Sequence, residues 1–182
     1  AGSLKDTALE RPEILEKYYG KLADMDKPGI AAINTLFAQD GFMLYVPDGV
    51  VVEKPLQLIT LLSSKVELMV NRRILVVLGR GAQAKLLLCD HALAANQYLT
   101  TQVTEVFAGE GSALELYDLE ETHYANRRVS ELYINQEADS NVEIDYVTLH
   151  NGRTRNTVFS TFAGRGSNLS LNGIATVDKE QH

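Results

Sequence analysis

The side chains able to do chemistry fall into a few short stretches. Cys89-Asp90-His91 is the one local trio that joins a thiolate to an imidazole. One of each does not close a structural zinc site, which takes four ligands. Cysteine is also among the residue types most often buried, so a core Cys ending a strand, followed by a surface His, accounts for the trio without a metal. His123 stands beside Glu120, Glu121 and Tyr124, a grouping suited to acid–base work. A solvated turn after a strand over 114–119 would bring the same residues together. Asp118, Glu120, Asp139, Glu143 and Asp145 could serve a polysaccharide lyase or glycosidase, provided several of them met on one face. Arg72-Arg73 and Arg127-Arg128 read as solvated corners or ion pairs between coils rather than as anion sites. No catalytic or metal residue is assigned on these grounds.

Glycine pairs are the other chemical candidates. Gly79-Arg80-Gly81-Ala82, Gly109-Glu110-Gly111-Ser112 and Gly164-Arg165-Gly166-Ser167 each interrupt apolar runs. None has the phosphate-cradling G-x-x-x-x-G-K-[ST] pattern, and none clearly leads from a strand into a helix. Tight corners needing positive φ explain them better. The stretch 135–140 reads as a degenerate copy, which makes the turn recur every 27 to 30 residues. That rhythm is a solenoid signature.

The elements that must carry these residues change character near Gly41. Residues 1–40 read as helix, with Ala1-Gly2-Ser3 given no structural weight. Pro12 suits a first helical turn, and Ile14, Leu15, Tyr18 and Leu22 follow at helical spacing, weakened late by Gly20. Asp26 and Pro28 offer a second start. Ile30, Ile33, Asn34 and Phe37 mark one face, with Gly41 as the stop. From 41 to 182 the signals are those of strands. Short β-branched and aromatic runs at 42–47, 50–52, 56–62, 74–78 and 84–89 sit between Gly, Pro and Asp turns. Residues 83–88 and 99–107 could pass for helix on local propensity, but the turn rhythm argues against it. Val142, Ile144, Tyr146 and Thr148 share one face, with Glu143 and Asp145 on the other. Leu169, Leu171, Gly173, Ala175 and Val177 alternate likewise with polar residues. Each coil can hide its inner face only against the next.

Bulk properties narrow the function classes. A formal net charge of −7 speaks against nucleic acid or an anionic membrane as the main partner. The longest apolar runs are far too short to span a bilayer. The single cysteine excludes an internal disulfide and fits a reducing cytosol, so a cytoplasmic location is expected. The C-terminus stops at Gln181-His182 without a closing element, which predicts that the sequence is part of a longer chain.

Tyr45-Val46-Pro47-Asp48-Gly49-Val50-Val51-Val52-Glu53-Lys54-Pro55-Leu56 resembles the Y-V-P-x-G-V-x-V-E-x-P-L signature of the SufB/SufD family of iron–sulfur cluster assembly proteins. Further likeness runs through residues 12–22 and 31–37, Arg155-Asn156, Phe162-Ala163-Gly164, Gly173 and Gln181-His182. The Glu53-Lys54-Pro55-Leu56 ending is closer to SufD than to SufB. The resemblance implies a right-handed parallel β-helix behind an N-terminal helical segment. It implies a non-catalytic scaffold, paired with a SufB-like subunit and engaged by a SufC-like ATPase, with the cluster handled by the whole complex and no cofactor bound by this chain. It also places the ATPase-docking helices and a cluster-related His beyond His182, so neither role transfers to a residue here. Cys89 matches no cluster ligand of the family. Two alternatives stand beside this reading: a β-solenoid enzyme acting on acidic polysaccharide, and a homodimeric β-helix adaptor with no iron–sulfur role.

Overall fold

A computed structural model describes residues 1–24 and 29–177. The chain opens with a short strand β1 (Gly2–Ser3), then helices α1 (Leu4–Glu10), α2 (Pro12–Tyr18) and α3 (Ile30–Phe37). Ten strands follow: β2 (Gly41–Val46), β3 (Leu56–Leu62), β4 (Leu68–Leu78), β5 (Gln83–Ala92), β6 (Tyr98–Ala108), β7 (Ala113–Glu121), β8 (Arg127–Gln136), β9 (Asn141–His150), β10 (Arg153–Phe162) and β11 (Asn168–Ala175).

The even-numbered strands, with β1 at their edge, build one sheet, ordered β1-β2-β4-β6-β8-β10, and the other odd-numbered strands build the second, ordered β11-β9-β7-β5-β3. All pairings from β2 onward are parallel and skip one strand in sequence. The chain therefore winds as a β-solenoid, each strand stacking on its equivalent one coil earlier. The segments 83–88 and 99–107 are strands, as the turn rhythm predicts. Of residues 50–52 only Val51 pairs, in an isolated bridge to Gln83.

The recurring turn sets the coil. Positive φ occurs at Gly49, Gly81, Gly111, Asp139 and Gly166, so the spacings are 32, 30, 28 and 27 residues. Asp139 confirms the degenerate copy. The two glycines of each pair serve different ends. Gly81 supplies the left-handed φ of 63°. Gly79 leaves room for the turn beneath, since a Cβ there would stand 2.6 Å from the Asp48 nitrogen. The turn N–H groups are consumed by the next coil: Gly49 donates to the Arg80 carbonyl at 2.7 Å, Gly81 to Glu110 and Gly111 to Ala138 at 2.8 Å each, and Asp139 to Arg165 at 2.9 Å. Those groups are therefore committed to stacking and form no phosphate cradle.

Inside the coil, the half nearest the glycine turns is apolar. Val46, Leu78, Val106, Ala108, Leu114, Leu116, Ile134, Val142 and Ile144 fill it. The inward parity expected of 142–148 holds. In β11, the last described strand, Leu171 is exposed, as is Val177 just beyond it.

The N-terminal segment lies on the outer face of the even-numbered sheet. Leu4 and Ile14 pack on Met43, Leu75 and Val77, with Phe107 edge-on to Tyr18. Here the sequence expectations need correction. Gly2–Ser3 pairs antiparallel with Phe42 and Met43, and Ser3 Oγ caps α1 at Asp6, so the first residues do have a structural part. Pro12 does open α2, but the helix ends at Tyr18; Leu22 lies beyond it because Gly20 takes a positive φ. In α3 the buried face is Ala31 and Asn34, whereas Ile33 and Phe37 are exposed. Asn34 is drawn inward by hydrogen bonds to the Arg72 carbonyl and Thr101 Oγ1, both 2.9 Å. Gly41 begins β2 instead of stopping a helix, and a Cβ on it would meet the Arg73 carbonyl. Asp26, Pro28 and Gln181-His182 lie outside the described residues.

Candidate functional site

The half of the coil interior away from the glycine turns is polar, and alternation puts it there. In β5 the inward series Ala84, Leu86, Leu88 ends on Asp90; in β7 the series Leu114, Leu116 continues into Asp118 and Glu120. Facing them, the even-numbered sheet points Arg72, Gln102 and Arg128 inward. Register stacks Asp90 under Glu120 and Arg72 under Gln102. Four strands thus deliver two guanidiniums and three carboxylates to one largely buried compartment.

The contacts join them into a ladder. Arg72 holds Asp90 in a two-pronged pair, one contact at 2.6 Å, and also binds Thr60 Oγ1 at 2.9 Å and the Gln102 side-chain oxygen. Arg128 Nη2 donates to Asp118 Oδ2 at 2.5 Å, while its Nη1 lies 3.9 Å from Asp90 and 3.7 Å from Glu120. Gln102 Nε2 reaches Asp118 at 3.3 Å, and Thr154 Oγ1 donates to Glu120 at 2.8 Å. The side chains of Arg128, Asp118 and Glu120 are all under 5 % exposed.

The electrostatics follow from burial. Desolvation raises the Glu120 pKa, against the pull of Arg128 and of the Thr154 hydrogen bond; Asp118 and Asp90 add to the rise. Burial also works against charge on Arg128, but Asp118 and Asp90 outweigh it and hold the guanidinium firmly protonated. Tyr146 is raised by burial and by Asp118. The raised Glu120 pKa lessens the surplus of negative charge where three carboxyl groups meet two guanidiniums. Arg128, Asp118 and Glu120 are enclosed, whereas Arg72 lines a cavity of about 340 Å³ together with Phe42, Leu58, Thr60 and Ile74. What the set supplies is a fixed interior that couples successive coils.

The sequence candidates are dispersed around this compartment. Cys89 faces out of the odd-numbered sheet yet is buried, with Gln57 Nε2 donating to its Sγ at 3.3 Å. Its neighbour Asp90 points inward to Arg72. His91 lies half-exposed, with Nδ1 3.5 Å from Glu121. The trio therefore divides between two faces of one strand. His123 stacks on Tyr124 at 4.1 Å and stands 6.5 Å from the His150 ring. Glu120 faces the interior, so the solvated-turn reading fails for it, and it does not join His123. Glu143 and Asp145 point outward, Asp118 and Glu120 inward, and Asp139 sits in a turn. Those five carboxylates share no face. Among the described residues, no three of His, Cys, Asp and Glu are placed to hold a metal ion.

Of the arginine pairs, Arg73 makes a buried ion pair from one coil to the next, Arg72 and Arg128 pair with carboxylates on the neighbouring strands β5 and β7, and Arg127 alone is exposed. The ladder itself was missed from sequence. Its signal was parity: Asp90, Asp118 and Glu120 each continue an inward series of leucines.

Residues 1–58 match the family described as the SufBD protein N-terminal region. Residues 61–182 match the family described as SUF system FeS cluster assembly, SufBD core domain. No curated protein matches the chain closely.

Proposed function

Since the chain belongs to the SufB/SufD family of the SUF iron–sulfur cluster assembly system, we propose that it acts there as a SufD-like scaffold, non-catalytic in itself, paired with a SufB-like subunit and a SufC-like ATPase. The observation that carries the reading is the paired interior. The ionisable groups that converge are largely buried and paired among themselves, which favours a role exercised through the outer surface. Glu53-Lys54-Pro55-Leu56, an irregular segment leading into β3, carries the SufD-like signature. The cluster is cargo of the assembly; Cys89 accepts a hydrogen bond from Gln57, and among the described residues it is not set among further ligands. Among the described residues no helix is long and apolar enough to cross a membrane, and a cytoplasmic location goes with the proposed role.

The test is copurification. The full-length protein is coexpressed with its cognate SufB and SufC and run on a sizing column. Coelution of all three is expected; separate elution of this protein counts against the proposal. The polysaccharide reading has no comparable support, because its carboxylates are split between interior, exterior and turn.

A further inference from the structure

The N-terminal segment shields the outer face of the even-numbered sheet only in part. Helix α3 rests on β4, β6 and β8, and the outward side chains of β10 remain open. Arg153 stacks in register on Arg127, and Arg155 follows two residues along on the same face. All three are exposed. Among the described residues none of the three forms an ion pair, whereas the exposed Arg11 and Arg80 are each paired, with Glu13 and Asp48. Neighbouring strands lie about 4.8 Å apart, so two like charges sit side by side without a counter-ion. That is an unfavourable arrangement in an isolated sheet. On this face Glu131 is engaged by the Tyr133 hydroxyl at 2.9 Å. Farther along the same strands, Tyr133 and Phe159 stack with centroids 4.8 Å apart and planes at 15°, leaving Phe159 47 % exposed.

We propose that this face of β8 and β10 is a docking site for an acidic segment of a partner polypeptide, its carboxylates taken by Arg127, Arg153 and Arg155 and an apolar side chain by Phe159. Guanidinium forks match carboxylates in two-pronged pairs, and the exposed ring gives the apolar anchor that interfaces favour. From Arg153 to Phe159 the strand covers ~20 Å, the reach of about six extended residues. A flat strand surface suits a peptide of that length better than a small anion, which needs a concave site. Single-stranded nucleic acid would use the same forks and ring. Its charge continues at every nucleotide beyond the patch, however, and there it meets a protein of net charge −7. A short acidic segment keeps its charge over the arginines. The inference rests on the geometry of the face and is independent of the scaffold role.

The test uses the whole chain and a fluorescein-labelled peptide of about eight residues alternating Glu and Leu, the length of the patch with a margin. Anisotropy is followed at low and at high salt, with an oligodeoxythymidylate as the competing probe. The peptide is expected to bind, more weakly as salt rises. The double variant Arg153→Ala/Arg155→Ala should weaken it at least about tenfold, the order of one charged contact. Phe159→Ala should weaken it a few-fold while leaving the salt dependence in place. Circular dichroism confirms that the variants, all on exposed positions, remain folded. The proposal is overturned by absence of peptide binding, by unchanged affinity in the arginine variant, by tighter binding of the oligonucleotide, or by self-association of the chain that the same substitutions abolish.

Discussion

Arg73 and Glu105 form an ion pair of 2.5 Å in which neither side chain is exposed, on the outside of the coil and beneath the N-terminal segment. Glu105 Oε1 also accepts from the N–H groups of Leu22 at 2.8 Å and Ala23 at 3.1 Å, and Oε2 from Gly20 at 2.8 Å. The Tyr19 ring lies over the Arg73 guanidinium at 4.7 Å. One carboxylate therefore fixes the irregular stretch after α2 to β6, in the third coil. A buried charge is tolerable when its lone pairs are satisfied, as here.

Glu105→Ala should free that stretch. It strands Arg73 without a counter-charge and leaves three N–H groups unbonded, so a loss of about 3–5 kcal/mol is expected. Urea unfolding gives the total. Hydrogen exchange should show protection lost first at residues 20–23, with β7 and β9 retaining theirs. Uniform loss across all strands, or a cost under about 1 kcal/mol, which is the scale of an exposed pair, would remove the clamp from the account.

The two glycines of the turn should respond differently to substitution. Gly81 needs only its φ of 63°, and nothing lies within 4 Å of a Cβ there. Gly81→Asn, a residue that tolerates this conformation, should cost roughly 1 kcal/mol or less. Gly79→Ala instead drives a methyl against the Asp48 backbone nitrogen and the Pro47 carbonyl carbon, at 2.6 and 2.9 Å. Backbone cannot yield as a side chain can, so this variant should lose several-fold more, in the range of overpacking at about 1–3 kcal/mol or beyond. Thermal melts of the two variants compare them directly. Equal costs would mean that stacking of successive turns is loose.

The coil was legible in the sequence because its corner demands a residue type. Gly81, Gly111 and Gly166 repeat at the same backbone φ, and even Asp139 fits, since Asp enters that region more readily than most residues. The N-terminal helices were less legible. Ile33 and Phe37 have helical spacing, yet the sheet below offers Thr101 and the Arg72 carbonyl, so the polar Asn34 is buried and the larger apolar residues are left outside. Helical periodicity shows that a face exists; the surface beneath decides which one. The polar interior was hidden for a related reason. Alternation along β7 already turns Asp118 and Glu120 inward, but only the stacking of the two sheets brings Arg128 across from Asp118. That opposition is a tertiary fact with no local trace.

Arg128 is the residue on which the interior depends most. Arg128→Met keeps most of the volume but leaves Asp118, Asp90 and Glu120 facing one another with Arg72 as the only cation. Removing one member of a buried pair costs about 3–5 kcal/mol. The double variant Arg128→Met/Asp118→Asn should recover a large part of it, because the uncompensated charge goes as well. A double-mutant cycle by urea denaturation measures the coupling. Purely additive losses would show that the two side chains do not interact in the folded protein.

Glu120 gives the ladder a pH dependence whose sign is set by its surroundings. Burial raises its folded-state pKa above the ordinary value of 4.5. The folded protein therefore holds this proton at pH values where the unfolded chain has released it. The stability contributed by the group is full below pH 4.5 and is lost as pH rises through the folded pKa. Other carboxylates act in the opposite sense; Asp48, held low by its hydrogen bonds to Arg80, is one. The total profile thus mixes both, and a difference isolates Glu120. Glu120→Gln mimics the protonated side chain at every pH and can still accept from Thr154. Its stability should equal that of the wild type near pH 4.5 and exceed it increasingly above, levelling off once the wild-type carboxyl is fully ionised. Chemical denaturation of both proteins from pH 4.5 to pH 9 yields the difference curve. A flat curve would show that Glu120 titrates alike in both states. A curve falling with pH would show that the ionised carboxylate is favoured by Arg128 more than burial disfavours it, and the charge balance drawn for the interior would be reversed.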